Sequence, residues 1–348
     1  MRLMILTADY PPFAWSGIAS AVETQARALV DAGAEVDVIV GNGRTAGKTR
    51  NGLRVRPLDP GSFPVDPRRF DRIHLHSLSL AGLALQLRRR YGLKITYTAH
   101  SLLWHELGPG TESDGWIRRQ REVMRESQSV VFLSQSERLA ALRTLPEVAN
   151  HAVVIGNAVP GLPSVRGRGT RMGPIVFAGR FTAIKGMELL GDLLPRLLRR
   201  GNWRAVLAGG HGDAAGMRRA RQLRSALGER CRMPGWLPRP RLRTLLRGAA
   251  LVLVPSLYEP FGLIALEAMR MGAPVLASRV GGLAEIVTAE SGGCLADPRS
   301  AAEWEHRASR ILDTADVWNG LHERGPVYVS EGFPVRAVAE RLLREAYA

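Results

Sequence analysis

Two runs of strand-length apolar segments, each alternating with helix-length amphipathic ones, limit this chain to very few folds. The first run opens with RLMILTA (2–8) and the turn DYPPFAWSG. It continues in helical spacing from Ile18 to Ala32, with Val22, Ala26, Leu29 and Val30 on one side. Gly33 stops that helix, and AEVDVIVG (34–41) predicts the next strand. Residues 42–65 are rich in Gly, Pro and Arg and predict a loop holding one short strand, LRVRPL. RIHLHS (72–77), a helix through Arg90, KITYTAH (94–100), VVFLS (130–134) and the helix SERLAALRTL complete the run. The stretch VPGLPSVRGRGTRMGP (159–174) is poor in apolar residues and predicts an interdomain linker. A second alternation follows: PIVFAGR, MELLGDLLPRLLRR, WRAVLAGG, GMRRARQLRSAL, then the strands ALVLVPS, APVLAS and GCLAD. The pattern predicts an α/β protein of two Rossmann-like, doubly wound domains, over 1–160 and 172–330, facing a cleft. From Pro334 to Ala348 the spacing of Val338, Leu342 and Tyr347 predicts an amphipathic helix that packs back onto the first domain.

The length of 348 residues suits two such domains. No run of about eighteen apolar residues argues for a transmembrane helix, and the first strand breaks at Asp9 and Pro11 before a secretory segment could form. Cys231 and Cys294 fit a reducing cytoplasm and lack metal-site partners in the sequence. The formal charge is +16, but only Lys48, Lys94 and Lys185 are lysines, so 45 of the 48 basic residues are scattered arginines. The densest run, Arg118, Arg119, Arg121 and Arg125, has only Trp116 beside it, and no nucleic-acid module is present. Nucleic acid is therefore not an expected partner; peripheral contact with an anionic membrane face stays open.

The chemistry is concentrated in PSLYEPFGLIALEAMRMGAPVLASRVGG (255–282). Glu259 and Glu267 stand eight positions apart, around a Pro-Phe-Gly turn. A helix beginning near Phe261 would put Glu259 at its mouth and Glu267 about two turns inside. The free N–H groups of the first helical turn and the helix dipole would then face an anion, while the carboxylates accept from hydroxyls. Solvated helix carboxylates are the plainer alternative. Upstream, GRFTAIKG (179–186) sets Arg180 and Lys185 on a strand-to-helix connection, where a fork and a point charge could converge on a diphosphate. Two surface cations would give the same sequence. GGHGD (209–213) permits a tight turn, with Gly210 beside a base or ribose and His211 as a turn residue.

GRFTAIKG, AGGHG and GWLPRPRLRTLLRGAALVLVPSLYEPFGLIALEAMRMGAPVLASRVGGLAEIV, in that order, resemble the retaining GT-B glycosyltransferases of family 4 and their E-x7-E motif. The resemblance covers nearly all of 175–300 and matches the first half more loosely, through DYPPFAWSGIASAVETQARAL and TAHSLLWHEL. It implies that Glu267 holds the ribose, that Arg180 and Lys185 hold the diphosphate, and that Glu259 holds the sugar together with the backbone at Phe261, Gly262 and Leu263. His100 would lie near the transferred sugar. Where the family often has two glycines, this chain has Ser16-Gly17, so close approach rests on Gly17. His74, His76 and His105 are read as structural.

The resemblance further implies a hexose or N-acetylhexosamine moved from a UDP-, GDP- or ADP-linked donor to a small-molecule, saccharide or lipid-linked acceptor. The leaving phosphate assists the proton transfer, with no metal and no cofactor beyond the co-substrate. The acceptor would be chosen by loops 9–20, 42–66 and 101–120, where Glu106, Glu112 and Asp114 could suit a cationic acceptor or simply be solvated. A phosphorylase would need a cofactor lysine, and an epimerase lacks the glutamate pair. A noncatalytic nucleotide-sugar or membrane-surface binding protein on a degenerate transferase fold is the alternative of another class.

Overall fold

The computed structural model describes residues 1–14, 16–43, 49–50, 52–59, 63–107, 111–160 and 169–348, with backbone alone at 49–50 and 111–113. The chain divides into two compact units, one of Met1–Pro160 with Phe333–Ala348 and one of Gly161–Gly332. Half of the linker expected at 159–174, namely 161–168, lies outside the described residues, as does Lys48.

The first unit is built on strands β1 (Arg2–Thr7), β2 (Glu35–Val40), β3 (Thr49–Arg50), β4 (Leu53–Pro57), β5 (Arg72–Leu75), β6 (Lys94–Ala99), β7 (Ser129–Phe132) and β8 (Ala152–Val154). Their order across the sheet is β3-β4-β2-β1-β5-β6-β7-β8, parallel throughout except for the β3–β4 pair. Because β1 has neighbours on both sides and helices on both faces, its residues Leu3 to Leu6 are wholly buried, and each such side chain contributes roughly 1.5–3 kcal/mol. One face is covered by helices Ala81–Tyr91 and Thr111–Glu126 through Leu85, Val123 and Met124. The other is covered by helix Gly17–Asp31 and by the C-terminal segment through Val22, Leu29, Val338 and Leu342. That segment is helical over Val335–Arg341 and widens into a π turn over Leu342–Ala346, where the Tyr347 amide bonds the Leu342 carbonyl at 2.9 Å.

The second unit carries β9 (Ile175–Arg180), β10 (Ala205–Gly210), β11 (Cys231–Gly235), β12 (Leu251–Val254), β13 (Val275–Ser278) and β14 (Gly293–Ala296). All six are parallel, in the order β11-β10-β9-β12-β13-β14. Helix Met187–Arg200 buries Leu190, Leu193, Leu194, Leu197 and Leu198 against this sheet, a spacing of three and four that keeps one face inward. In both units the crossovers deliver every βα loop to the carboxyl ends of the strands, where ligands of such sheets bind. Among the described residues no helix is long and apolar enough to cross a membrane.

Candidate functional site

In the second unit the loop after β9 and the loop after β12 are held together by backbone. Gly186 has φ 80°, and a Cβ there would lie 2.0 Å from the Pro255 carbonyl oxygen, so only glycine lets the two loops touch. The Leu257 amide bonds the Ile184 carbonyl at 2.8 Å beside it. This close approach carries Lys185 onto Glu259: Nζ donates to Oε2 at 2.9 Å. Ser256 donates its hydroxyl to the same oxygen at 3.2 Å. Both charged side chains are mostly buried, at 20% and 14% exposure, so the pair is screened less than a surface one.

Past Glu259 the chain turns at Gly262, in the left-handed region with φ 101°, where a side chain would strike Leu283. That conformation cannot continue a helix. The helix therefore runs over Leu263–Arg270, which corrects the start expected near Phe261. Phe261 is a buried anchor outside it, Leu263 is its first residue, and Glu267 sits about one turn inside rather than two. Glu267 accepts from Arg239 Nη2 at 2.8 Å, across side chains that are 21% and 15% exposed.

Arg180, at the end of β9, is exposed and lies in register with Gly210 at the end of β10. The Gly210 carbonyl accepts from the Phe181 amide at 3.4 Å. His211 follows with φ 46° and stacks toward Trp236, ring centroids 6.4 Å apart. The indole Nε1 of Trp236 is buried with no partner among the described residues. The second unit thus gathers Arg180, Lys185, Gly210, Glu259, Phe261, Gly262, Leu263 and Glu267 on one sheet's carboxyl end. It joins the glutamates to two different cations rather than to each other.

Gly17 and His100 belong to the first unit, both at the carboxyl end of its sheet. Gly17 opens its helix behind Ser16, whose hydroxyl accepts from the Ala19 amide at 3.1 Å and is engaged as the cap. A Cβ on Gly17 would meet nothing within 4 Å. His100 follows β6, and its Nε2 lies 3.0 Å from Nδ1 of His76. Burial pushes His100 down to about 4, so its imidazole is neutral near pH 7.

The sequence does not single out Arg239 or Ser256, and it marks His76 only as structural. The alternation in IHLHS, which puts His74 and His76 on one side of a strand, was the available signal for His76. Arg239 carried none, because one arginine among 45 is not distinctive. Part of the arginine excess goes into ion pairs. At the amino ends of β1, β2 and β4, beside a cavity of about 150 Å³, the buried Asp37 binds Arg54 at 3.0 Å and Arg56 at 2.8 Å.

Two Rossmann-like units, each with charged loops at the carboxyl ends of its strands, are the two halves of a GT-B fold. The model for Glycosyl transferases group 1 matches residues 173–314, and that for the Glycosyl transferase 4-like domain matches 16–158; the chain belongs to this glycosyltransferase family. The D-inositol 3-phosphate glycosyltransferase of Frankia alni is 30% identical over 80% of this chain and 74% of its own length. Sucrose-phosphate synthase from Thermosynechococcus elongatus shares the fold with a TM-score of 0.80 at 24% identity, over 99% of this chain and 98% of that one. Anabaena Alr3699/HepE, solved in complex with UDP and glucose, superimposes with a TM-score of 0.77 at 17% identity, over 99% of both chains.

Proposed function

We propose that this glycosyltransferase moves a hexose or N-acetylhexosamine from a nucleotide diphosphate sugar to an acceptor hydroxyl with retention at the anomeric carbon. The C-terminal domain, 172–330, takes the donor, and the N-terminal domain, 1–160 with the C-terminal segment, takes the acceptor. The observation that carries this reading is the Lys185–Glu259 pair at the ends of neighbouring strands. A donor diphosphate would draw Lys185 and Arg180 to itself and leave Glu259 to accept from sugar hydroxyls, while Glu267 accepts from the ribose. Gly210 and the backbone of Phe261, Gly262 and Leu263 would line the donor, with Gly17 and His100 on the acceptor side near the sugar.

As the bond from the anomeric carbon to phosphate oxygen breaks, negative charge grows on the β-phosphate, where the two cations stabilise it. The acceptor oxygen bonds the same carbon from the same face, and its proton passes to the leaving phosphate oxygen. In this reading Glu259 meets sugar hydroxyls rather than the anomeric carbon and Glu267 is held by Arg239, which favours this route over a carboxylate nucleophile. The positive charge of Arg180 and Lys185 fills the part a metal plays elsewhere, so we infer a metal-independent reaction. A cytoplasmic setting, at a membrane face if the acceptor is lipid-linked, suits the two unpaired cysteines.

Nucleotide release from UDP-glucose, GDP-mannose and ADP-glucose, with D-inositol 3-phosphate and a maltooligosaccharide among the acceptors and with EDTA present, tests the reading. Transfer from one donor that survives EDTA and gives an α-linked product supports it. A β-linked product overturns retention, and tight nucleotide binding without turnover on any donor favours a binding protein.

A further inference from the structure

We propose that His76 is a positioning residue that fixes the tautomer of His100, so that His100 presents an Nδ1–H donor to the sugar rather than a basic nitrogen. The inference rests on the reading of His100 as a sugar-site residue. It starts from three side-chain pairs at a constant offset between β5 with its extension and β6 with its extension. Arg72 Nη1 donates to Thr96 Oγ1 at 3.1 Å, His74 Nε2 lies 2.7 Å from Thr98 Oγ1, and His76 Nδ1 lies 3.0 Å from His100 Nε2. The ladder is anchored at the far end, where His74 Nδ1 meets the Tyr347 hydroxyl at 2.6 Å and Arg72 donates to the Tyr347 carbonyl at 2.8 Å. His100 is its last rung and keeps part of its surface open.

His76 is 3% exposed, and its Nε2 is buried with no partner among the described residues. The groups that face it are the His74 ring, with centroids 4.1 Å apart, and the His100 ring at 5.3 Å. Burial first, and these two rings second, hold His76 well below the ordinary histidine range, so it is neutral and carries one ring proton. One proton must lie between His76 Nδ1 and His100 Nε2 for the 3.0 Å contact to be a hydrogen bond. If His100 supplied it, the proton of His76 would sit on Nε2, a buried N–H with no acceptor, the rarer defect in folded proteins. If His76 supplies it, His76 Nε2 is a bare ring nitrogen and the one ring N–H of His76 is used. His100 then accepts at Nε2, and its own proton is on Nδ1. A donor of this kind holds a sugar hydroxyl by its lone pair and takes no proton from it, which leaves the acceptor proton to the phosphate oxygen.

The test uses the full chain with ¹⁵N-labelled histidine. The His100 ring signals, assigned by their loss in His100→Gln, should show Nδ1 protonated and Nε2 bare; the reverse pattern overturns the proposal. With the donor selected by the panel above, His76→Leu should lower kcat about tenfold or more with little change in donor KM, as loss of an orienting partner does. His76→Asn, whose amide N–H can stand where Nδ1–H stood, should recover part of that loss. In a His100→Gln background His76→Leu should cost nothing further; an independent, additive loss would mean that His76 acts only on the fold. If His76→Leu is as active as the parent while His100→Gln is not, the proposal fails. If His100→Gln is itself fully active, it is the sugar-site reading of His100 that fails. Should His76→Leu not fold, the parent spectrum and His76→Asn still decide.

Discussion

The Lys185 ammonium donates to Glu259 across 2.9 Å, joining the ends of two neighbouring strands although 74 residues separate them in sequence. The contact depends on the backbone touching at Gly186 and Pro255, and it makes a cation and a carboxylate available at one point on the second sheet. Removing the cation should be felt chiefly in the transition state. Lys185→Ala is expected to lower kcat/KM a hundredfold or more, about 2.7–4 kcal/mol, the cost of losing one charge-stabilising donor. Lys185→Arg should not restore it, because a planar fork does not replace a point charge in a mostly buried pair. Steady-state kinetics on the two variants check this.

Arg239 holds one oxygen of Glu267 at 2.8 Å and leaves the other for ribose hydroxyls. Arg239→Met should weaken nucleotide binding roughly tenfold, the scale of one charge-assisted hydrogen bond, with kcat nearly unchanged. Calorimetric titration with the nucleoside diphosphate reads this. Tighter binding would mean that Arg239 competes with the ribose instead.

Gly186→Ala places a methyl group 2.0 Å from a carbonyl oxygen at a backbone φ of 80°. It should destabilise the second unit by more than about 1 kcal/mol and lower transfer, by separating the loops that bring Lys185 to Glu259. Urea unfolding and activity measured on the same sample check both.

His74 and His100 are pushed down to about 3 and about 4, and His76 well below its ordinary value, mainly by burial. Their unfolded-state values lie near 6.5. Below that pH the unfolded chain binds protons that the folded one does not, so the stability these residues give is present above about pH 6.5 and is lost as pH falls toward 4. Each contributes a slope of up to about 1.4 kcal/mol per pH unit. Urea midpoints measured from pH 4.5 to 7 should rise with pH, and His74→Gln should flatten the slope by close to one proton. An unchanged slope would contradict the neutral, buried assignment.

Strand existence was the most legible part of the chain, because a fully buried parallel strand is a short apolar run such as RLMILTA or ALVLVPS. Helix Thr111–Glu126 was missed since its exposed face carries Asp114, Arg118, Arg119 and Arg125 and only Val123 and Met124 among its apolar residues are wholly buried. Strand β11, CRMPG, was missed because an edge strand with Pro and Arg has no apolar run to show. Helices Ala301–Asp313 and Ala315–Gly332 also went unread; Pro326 and three glycines mask the second. At the site, residue types at strand ends were legible, but their partners were not. The pairings Lys185–Glu259, Arg239–Glu267 and His76–His100 are set by which strands are neighbours and by glycine contacts, and neither is written in local spacing.

Calorimetric binding of UDP, GDP and ADP to the parent chain and to Glu267→Ala, Lys185→Ala and His100→Ala tests the donor site most directly. One nucleotide should bind the parent, Glu267→Ala and Lys185→Ala should weaken that binding at least tenfold, a difference of about 1.4 kcal/mol, and His100→Ala should leave it unchanged. Equal binding by the parent, Glu267→Ala and Lys185→Ala would overturn the donor-site assignment.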